Sequence, residues 1–141
     1  VLQYWGTEVC RQGFHDDVWI ASLENKLRKS NKNVVISDVR FPNEIRAIKA
    51  QGGKVVWVQR GPLPEWYQAA VNTNKGVSSA MYEQDEIHPS EWAWVGSEFD
   101  HIIDNNRSLA ELYQQVLNII NQESNLLAAT EYARDIATAG N

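Results

Sequence analysis

The sequence predicts an α/β fold built on a parallel sheet, and three local patterns support this prediction. Val34–Ile36 and Val55–Val58 are continuous apolar runs, which are typical of strands covered on both faces. Between the two runs, Pro42 suits the first turn of a helix, and Gly52-Gly53 suits its left-handed end. The order strand, helix, strand implies a parallel pair joined by a right-handed crossover.

Composition and charge limit the classes of function. The chain has 141 residues, of which 43% are hydrophobic and 22% charged, so it is large enough for one folded domain. Its net charge of −5 disfavours nucleic acid or an anionic membrane as a partner. Cys10 is the only cysteine, which excludes an intrachain disulfide and favours a reducing compartment. Because there is no membrane-length apolar run and no signal-peptide pattern, we expect a cytoplasmic protein.

Helical signals precede the first apolar run. The opening stretch Leu2–Phe14 is apolar, and we expect Gly6 and Gly13 to break it. A helix is predicted next, with Asp16 or Asp17 as N-cap, apolar side chains along one side and basic residues near its end. His15 beside these aspartates indicates capping rather than metal binding, because three consecutive residues do not converge on one face of a helix.

The stretch 61–98 shows no strand or helix periodicity. It holds three of the four prolines and three of the six tryptophans. A segment of this length is too long for an ordinary loop in a compact domain, and such insertions are usually lids or binding loops. We therefore predict a lid-like insertion.

Regular structure is predicted to resume after the insertion. Phe99–Ile103 has the composition of a third strand, and Ser108 with Glu111 forms a capping box at the start of an amphipathic helix. Residues 122–141 are only weakly amphipathic, which predicts a peripheral helix or tail that frays by Thr138. The predicted domain proper is residues 1–121.

Asp38 and Arg40 end the predicted buried strand Val34–Arg40. In open α/β sheets, ligands bind beyond the carboxyl ends of the strands, and residues two apart point to the same side of an extended chain. An aspartate in this position can hold Mg²⁺ directly or through water. The alternative is a buried ion pair between Asp38 and Arg40 that only stabilises the strand end.

Two further arginines are candidates for contacts with phosphate. Arg60 ends the second strand, where a guanidinium can fork onto phosphate oxygens, although a solvated arginine suits the same position. Arg11 follows Gly6-Thr7-Glu8 in a polar stretch among aromatics, which hints at the wall of a pocket.

A titratable cluster lies inside the predicted insertion. His88, Ser90 and Glu91 offer an imidazole, a hydroxyl and a carboxylate close together in the sequence. The histidine could neutralise a phosphate or move a proton. The alternative is a surface turn in which Ser90 and Glu91 cap a short helix.

Taken in order, these segments resemble phage-type deoxynucleoside monophosphate kinases, which have the P-loop kinase fold. The resemblance covers residues 1–121 and excludes the tail. The motifs that carry it are Leu2-Gln3 with Gly6-Thr7-Glu8, Arg11 and Trp19; Val34–Arg40 with Phe41-Pro42-Asn43-Glu44; Gly52–Val56 and Arg60; His88-Pro89-Ser90-Glu91; Asp100–Asn106; and Ser108-Leu109 with Glu111-Leu112.

This resemblance implies a three-layer, parallel-sheet P-loop fold and transfer of the γ-phosphoryl group of ATP to a deoxynucleoside monophosphate with Mg²⁺. Such catalysis depends mostly on positioning and charge neutralisation. Asp38 then resembles the acidic residue on the metal side, and Arg40 and Arg11 face the monophosphate or the transferring group. Arg60 flanks the lid. The remaining matched residues are assigned to substrate binding: Thr7, Glu8, Trp19, His88, Ser90 and Glu91.

The family's Gly-rich phosphate loop, which ends in Lys-Ser or Lys-Thr, has no counterpart in the 141 residues. Gly61-Pro62-Leu63-Pro64 is no substitute, because prolines lack the N–H donors that a phosphate cradle needs. We therefore expect the C-terminal portion of a longer kinase that is inactive alone. Two alternatives stay open: a nucleotide-binding or partner-binding module without the loop, and a related kinase for another small phosphorylated acceptor. The oligomeric state is open too, with a homodimer among the options.

Overall fold

The computed structural model describes the backbone of residues 2–139 and the side chains of residues 2–130. The chain divides into two compact units: one contains the chain up to Val55 together with Leu63–Glu98, and the other contains Val56–Pro62 together with the chain from Phe99 onward. The first unit contains α1 (Leu2–Tyr4), a π-helix (Trp5–Gln12), α2 (Val18–Arg28), α3 (Pro42–Ala50), α4 (Tyr67–Asn74), a 3₁₀ helix (Ala80–Glu83) and α5 (Pro89–Trp92); the second contains β1 (Val56–Gln59), β2 (His101–Asp104) and α6 (Leu109–Ala139).

The first helical stretch runs through Gly6 without interruption, so the break predicted there is wrong. α1 passes directly into the π-helix, which buries Thr7 and Arg11. Glycine inside a helix costs only about 1 kcal/mol relative to alanine, which the burial of neighbouring side chains offsets. The stretch ends at Gly13 as predicted, where the glycine N–H donates to the carbonyl of Glu8 at 2.9 Å.

The predictions for the next two helices are confirmed. α2 begins directly after Asp17, and α3 begins at Pro42 and ends shortly before Gly52, whose φ of 78° is a left-handed conformation that glycine adopts without strain. His15 acts locally as expected, because its Nδ1 accepts the N–H of Asp17 at 3.1 Å. The carboxylate of Asp17 makes no cap hydrogen bond and accepts one from the Asn43 amide at 2.9 Å instead.

The buried strand predicted over Val34–Arg40 is absent, and so is its predicted pairing with the second apolar run. The segment is exposed over most of its length, and Val35 is 94% accessible to solvent. An apolar run supplies β propensity, but a strand also needs a neighbouring backbone that completes its hydrogen-bond ladder. No strand among the described residues pairs with this segment, so it stays outside the sheet.

Residues 63–98 contain helices that the sequence pattern did not reveal. α4, the 3₁₀ helix and α5 surround a hydrophobic core of Ala70, Met81, Trp92 and Val95. The ring of Tyr82 meets that of Trp92 edge-on, with 5.4 Å between the ring centroids. Irregular structure was predicted because short helices around a few large side chains show no repeating apolar pattern. The role of this segment as a lid stays a prediction.

Polar contacts close the same core. The Asn74 amide at the end of α4 donates to the carbonyls of Trp92 at 3.1 Å and Val95 at 2.8 Å. The hydroxyl of Thr73 accepts the N–H of Met81 at 3.3 Å. These bonds join α4 to the backbone at Met81, Trp92 and Val95, so they fix the second half of the insertion to α4.

β1 and β2 form a two-stranded parallel sheet, with Val56 opposite His101 and Gln59 opposite Asp104. The predictions of these two strands and of a parallel sheet are confirmed. The partner of β1 is β2, however, rather than the segment predicted from the first apolar run. The rings of Trp57 and Phe99 add a contact in this unit, with 5.7 Å between their centroids.

α6 packs on β2 through paired polar contacts. The Gln115 amide donates to the carbonyl of Asp104 at 2.9 Å and accepts its N–H at 3.0 Å. Nε2 of His101 lies 2.7 Å from a carboxylate oxygen of Glu123. Residues from 122 onward, predicted as a peripheral helix or tail, instead continue α6 to Ala139. Among the described residues, no helix has the length and apolar character needed to cross a bilayer.

The capping box at the start of α6 is confirmed. The Ser108 N–H donates to the Glu111 carboxylate at 3.1 Å, and the Glu111 N–H donates to the Ser108 hydroxyl oxygen at 3.3 Å. The Ser108 hydroxyl also donates to this carboxylate at 2.7 Å. The side-chain bond from Ser108, followed by the backbone bond, holds the pKa of Glu111 below its ordinary value.

Asn74→Ala should lower the free energy of unfolding by about 2 kcal/mol, because two hydrogen bonds worth roughly 1 kcal/mol each are lost. Chemical denaturation followed by tryptophan fluorescence measures the change. Asn72→Ala in the same helix is the control, since its side chain accepts only an exposed hydrogen bond from Gln68. Equal losses in the two variants would contradict the role given to Asn74.

Ser108→Ala should raise the pKa of Glu111 toward its ordinary value, which a ¹³C NMR titration of the carboxyl group measures. Because the folded-state pKa lies below the unfolded one, the capping box stabilises the fold above the unfolded pKa. That contribution is lost as the pH falls through the folded value. Ser124→Ala on the exposed side of α6 is the control, and an unchanged pKa in Ser108→Ala would show that another group causes the shift.

Candidate functional site

A pocket of about 620 Å³ lies within the first unit. Its wall combines the π-helix, α2, the extended segment before α3 and the start of α5. Seven of the ten site residues that the sequence predicted line this pocket, and they are Thr7, Arg11, Trp19, Asp38, Arg40, Ser90 and Glu91.

Asp38 and Arg40 lie on the pocket wall in the extended segment that leads into α3. Both residues are exposed, and neither side chain forms a hydrogen bond or an ion pair with any described residue. The ion pair considered as an alternative is therefore not observed. The backbone N–H of Arg40 donates to the Glu44 carboxylate at 2.8 Å, so the backbone is held while both charged groups stay available to a ligand.

Arg11 lies on the same wall but is engaged by the protein. Its side chain is only 3% exposed. The guanidinium donates to the carbonyl and the carboxylate of Asp16, each at 2.9 Å, and to the Glu44 carboxylate. It also lies 4.1 Å from the centre of the Phe41 ring, within the range of a cation–π contact. Arg11 thus holds the site together, while its predicted contact with phosphate stays a prediction.

Glu44 transmits that restraint to the pocket wall. One carboxylate oxygen accepts from Arg11, and the other accepts the backbone N–H groups of Arg40 at 2.8 Å and Phe41 at 3.0 Å. The carboxylate also lies in the first turn of α3, where the helix dipole favours negative charge. The ion pair therefore couples the π-helix to the backbone that carries Arg40.

Trp19 supplies much of the aromatic surface of the pocket. Its indole N–H donates to the carbonyl of Gly6 at 3.1 Å, which orients the ring. The residue is nevertheless 42% exposed, so a face is open to a ligand. Aliphatic and aromatic neighbours extend this surface: Leu2, Ile20, Leu23, Ile36, Val39, Phe41 and Ile48.

Glu8, His88 and Ser90 come together although Glu8 precedes His88 by 80 positions. Nε2 of His88 lies 3.0 Å from a Glu8 carboxylate oxygen, and its Nδ1 lies 2.8 Å from the Ser90 hydroxyl oxygen. The same Nδ1 accepts the Ser90 N–H at 3.2 Å, so His88 caps α5, and the alternative of capping by Ser90 and Glu91 is wrong. Glu91 instead accepts from the Gln3 amide at 2.8 Å.

Arg60 belongs to the second unit, where it directly follows β1. It is exposed, and its side chain has no hydrogen-bond or ion-pair partner among the described residues. An arginine in this setting can be solvated or can bind a phosphate group, so the catalytic role of Arg60 stays a prediction.

The sequence analysis missed Lys26. Its exposed side chain lines the pocket without a hydrogen-bond or ion-pair partner among the described residues. It was interpreted only as one of the basic residues that suit the end of a helix. The available signal was spacing, because Trp19, Leu23 and Lys26 follow one face of α2.

No group of three or more histidine, cysteine, aspartate or glutamate side chains is arranged to hold a metal ion in the described part of the chain. At the pocket, Asp38 therefore offers a single unpaired carboxylate. A single carboxylate suits Mg²⁺ only where waters and substrate phosphates complete the coordination.

The chain is similar to two viral proteins whose names refer to nucleotide kinases. A protein of Acanthamoeba polyphaga mimivirus, provisionally named deoxynucleotide monophosphate kinase, is 28% identical over an alignment 141 positions long, which covers 89% of this chain and 62% of that protein. The deoxynucleoside-5′-monophosphate kinase of Escherichia phage T5 is 49% identical over 45 residues, which cover 31% of this chain and 18% of that protein. The chain thus spans less than two thirds of each relative.

These similarities support the relationship to deoxynucleotide monophosphate kinases that the motifs predicted. No family model matches the chain, and no solved structure matches it significantly. The fold itself is α/β with a small parallel sheet.

Arg11→Met should lower the free energy of unfolding by about 3 kcal/mol, because it leaves the Glu44 carboxylate without its guanidinium in a poorly solvated place. Methionine retains much of the apolar contact with Phe41, so the loss reports mainly on charge. Arg28→Met is the control, since Arg28 is exposed and its side chain donates one long hydrogen bond, of 3.4 Å, to the Glu24 carbonyl. Denaturant unfolding measures the free energy of unfolding of both variants. Similar decreases in the two variants would contradict the role given to Arg11.

Proposed function

We propose that this chain forms the acceptor side of a deoxynucleoside monophosphate kinase, which transfers the γ-phosphoryl group of ATP to give a deoxynucleoside diphosphate and ADP. The observation that carries the proposal is the pocket wall on which Asp38 and Arg40 stand unpaired beside an aromatic surface. The names of the two viral relatives support the same chemistry.

In this proposal the monophosphate binds at the cationic side chains of the pocket. Arg40 can present two parallel N–H groups to phosphate oxygens, and Lys26 adds a second positive charge. Trp19 offers a flat aromatic face, which suits stacking with a base. Bound in this way, the acceptor phosphate is neutralised and oriented for in-line attack, which is most of what phosphoryl transfer requires.

Mg²⁺ fits the donor set at the pocket, with Asp38 as its protein ligand. The ion would supply charge neutralisation on the transferring phosphoryl group. Because the Asp38 carboxylate has no competing ion-pair partner among the described side chains, it remains available for this contact. The backbone bonds around Glu44 keep the adjacent chain in place.

The donor side of the reaction rests on residues outside this pocket. We propose that a Gly-rich phosphate loop, absent from the 141 residues, completes a P-loop fold in a longer protein. Arg60 then flanks the insertion 61–98, which acts as a lid over the bound nucleotides. In support, the chain covers only 62% of the mimivirus relative.

A second candidate follows from the same absence of a phosphate loop. This candidate is a nucleotide-binding or partner-binding module that lacks the loop and transfers no phosphoryl group. If it is correct, this chain binds dNMPs, and neither the chain nor a longer form of the protein turns them over. A third candidate is a related kinase for another small phosphorylated acceptor. In that case the pocket binds that acceptor more tightly than dNMPs.

Arg40→Ala should weaken dNMP binding to this chain by about 100-fold, because a charge-assisted bidentate contact worth roughly 1.5–3 kcal/mol is lost. Isothermal titration calorimetry measures the affinity. In a longer form that contains the phosphate loop, the same change should lower kcat/KM by at least the same factor.

Arg46→Ala is the matched control, since Arg46 is an exposed arginine of α3 outside this pocket. The affinity of this variant for dNMPs should stay within twofold of the affinity of the unmodified chain. If Arg40→Ala binds dNMPs as well as Arg46→Ala does, the pocket is not the monophosphate site.

A further inference from the structure

The contacts of His88 define which ring nitrogen carries its hydrogen. Nδ1 accepts the backbone N–H of Ser90 at 3.2 Å, so Nδ1 has a lone pair rather than a hydrogen. The hydrogen of the neutral ring is then on Nε2, which faces the Glu8 carboxylate at 3.0 Å. The second oxygen of Glu8 is buried without a partner among the described residues, so this carboxylate relies on His88 for its hydrogen bond.

The same geometry fixes the Ser90 hydroxyl. Its oxygen lies 2.8 Å from Nδ1, and two atoms with facing lone pairs repel each other at that distance unless a hydrogen lies between them. The serine hydrogen therefore points to Nδ1, whose single lone pair it shares with the Ser90 N–H. A hydroxyl that donates in this way keeps both oxygen lone pairs for other groups, so Ser90 presents an acceptor to the pocket it lines.

Neighbouring side chains also present hydrogen-bond acceptors on this part of the pocket wall. The Glu91 carboxylate lines the pocket and can only accept hydrogen bonds when ionised. The Gln3 amide donates to Glu91 at 2.8 Å, which leaves the Gln3 carbonyl oxygen as another acceptor on the wall. An acceptor-rich wall binds hydrogen-bond donors and disfavours phosphate or carbonyl oxygens.

We propose that Ser90 is a specificity-determining residue that binds a hydrogen-bond donor of the acceptor nucleotide, with His88 and Glu8 as its positioning residues. This inference rests on the proposed function. The donor has two sources in a dNMP, the exocyclic amino group of the base and the 3′-hydroxyl of the sugar. Both offer the same chemistry to the Ser90 oxygen.

Binding of matched nucleotides to the full chain tests the proposal. dCMP and dUMP differ in the amino group, and dCMP and 2′,3′-dideoxycytidine monophosphate differ in the 3′-hydroxyl. We expect the nucleotide without the recognised donor to bind about tenfold more weakly, the loss typical of one unmade hydrogen bond. Ser90→Ala should reduce that ratio to within twofold.

His88→Asn separates positioning from helix capping. Asparagine is a good N-cap, so it can still accept the Ser90 N–H, but it is too short to keep the Glu8 contact as well. The ratio between the nucleotides should therefore fall in this variant. His101→Asn is the control, because it breaks a histidine–glutamate pair of the same kind in the other unit.

¹⁵N NMR of the unligated chain reports the arrangement directly. His88 should show an unprotonated Nδ1 and a protonated Nε2, and Glu8→Ala should weaken that preference. A protonated Nδ1 in the neutral ring, or equal affinities for all three nucleotides, would overturn the assignment of Ser90 while leaving the proposed function in place. A failure of every nucleotide to bind would instead overturn the proposed function, and this inference with it.

Discussion

The first unit depends on the ion pair between Arg11 and Glu44. The guanidinium is nearly inaccessible to solvent, so both charges must be satisfied by protein groups, and the contacts are arranged to do so. Arg11 fixes the π-helix, and Glu44 fixes the backbone at Arg40 and Phe41. The segment before α3 therefore presents its charged side chains from a backbone that is anchored at one end.

Charged residues of the first unit differ in whether they have an ion-pair partner. Arg11 and Glu44 neutralise each other and serve the fold, whereas Asp38 and Arg40 have no such partners among the described residues. A ligand contact made by an unpaired charge costs no internal ion pair, so the free energy of binding is not spent on breaking one. The proposed phosphate contact is assigned to Arg40 on this physical ground.

Local signals in the sequence predicted much of the fold. The helix at Pro42, the capping box at Ser108 and the two strands of the sheet each depend on neighbouring residues. Val34–Arg40 was predicted wrongly, since strand formation depends on a partner that an apolar run does not specify. The engagement of Arg11 was also beyond local reasoning, because Glu44 lies 33 positions away.

The insertion has a hydrophobic core of its own, and two side-chain hydrogen bonds, Gln3 to Glu91 and His88 to Glu8, join it to the N-terminal helical stretch. Repacking around Trp92 can therefore vary during evolution without altering the ion pair that anchors the opposite end of the site. A change in this interior would reach the pocket through Ser90 and Glu91, which lie beside Trp92 in α5. The side of the pocket held by the ion pair and the side formed by α5 can therefore change independently of each other.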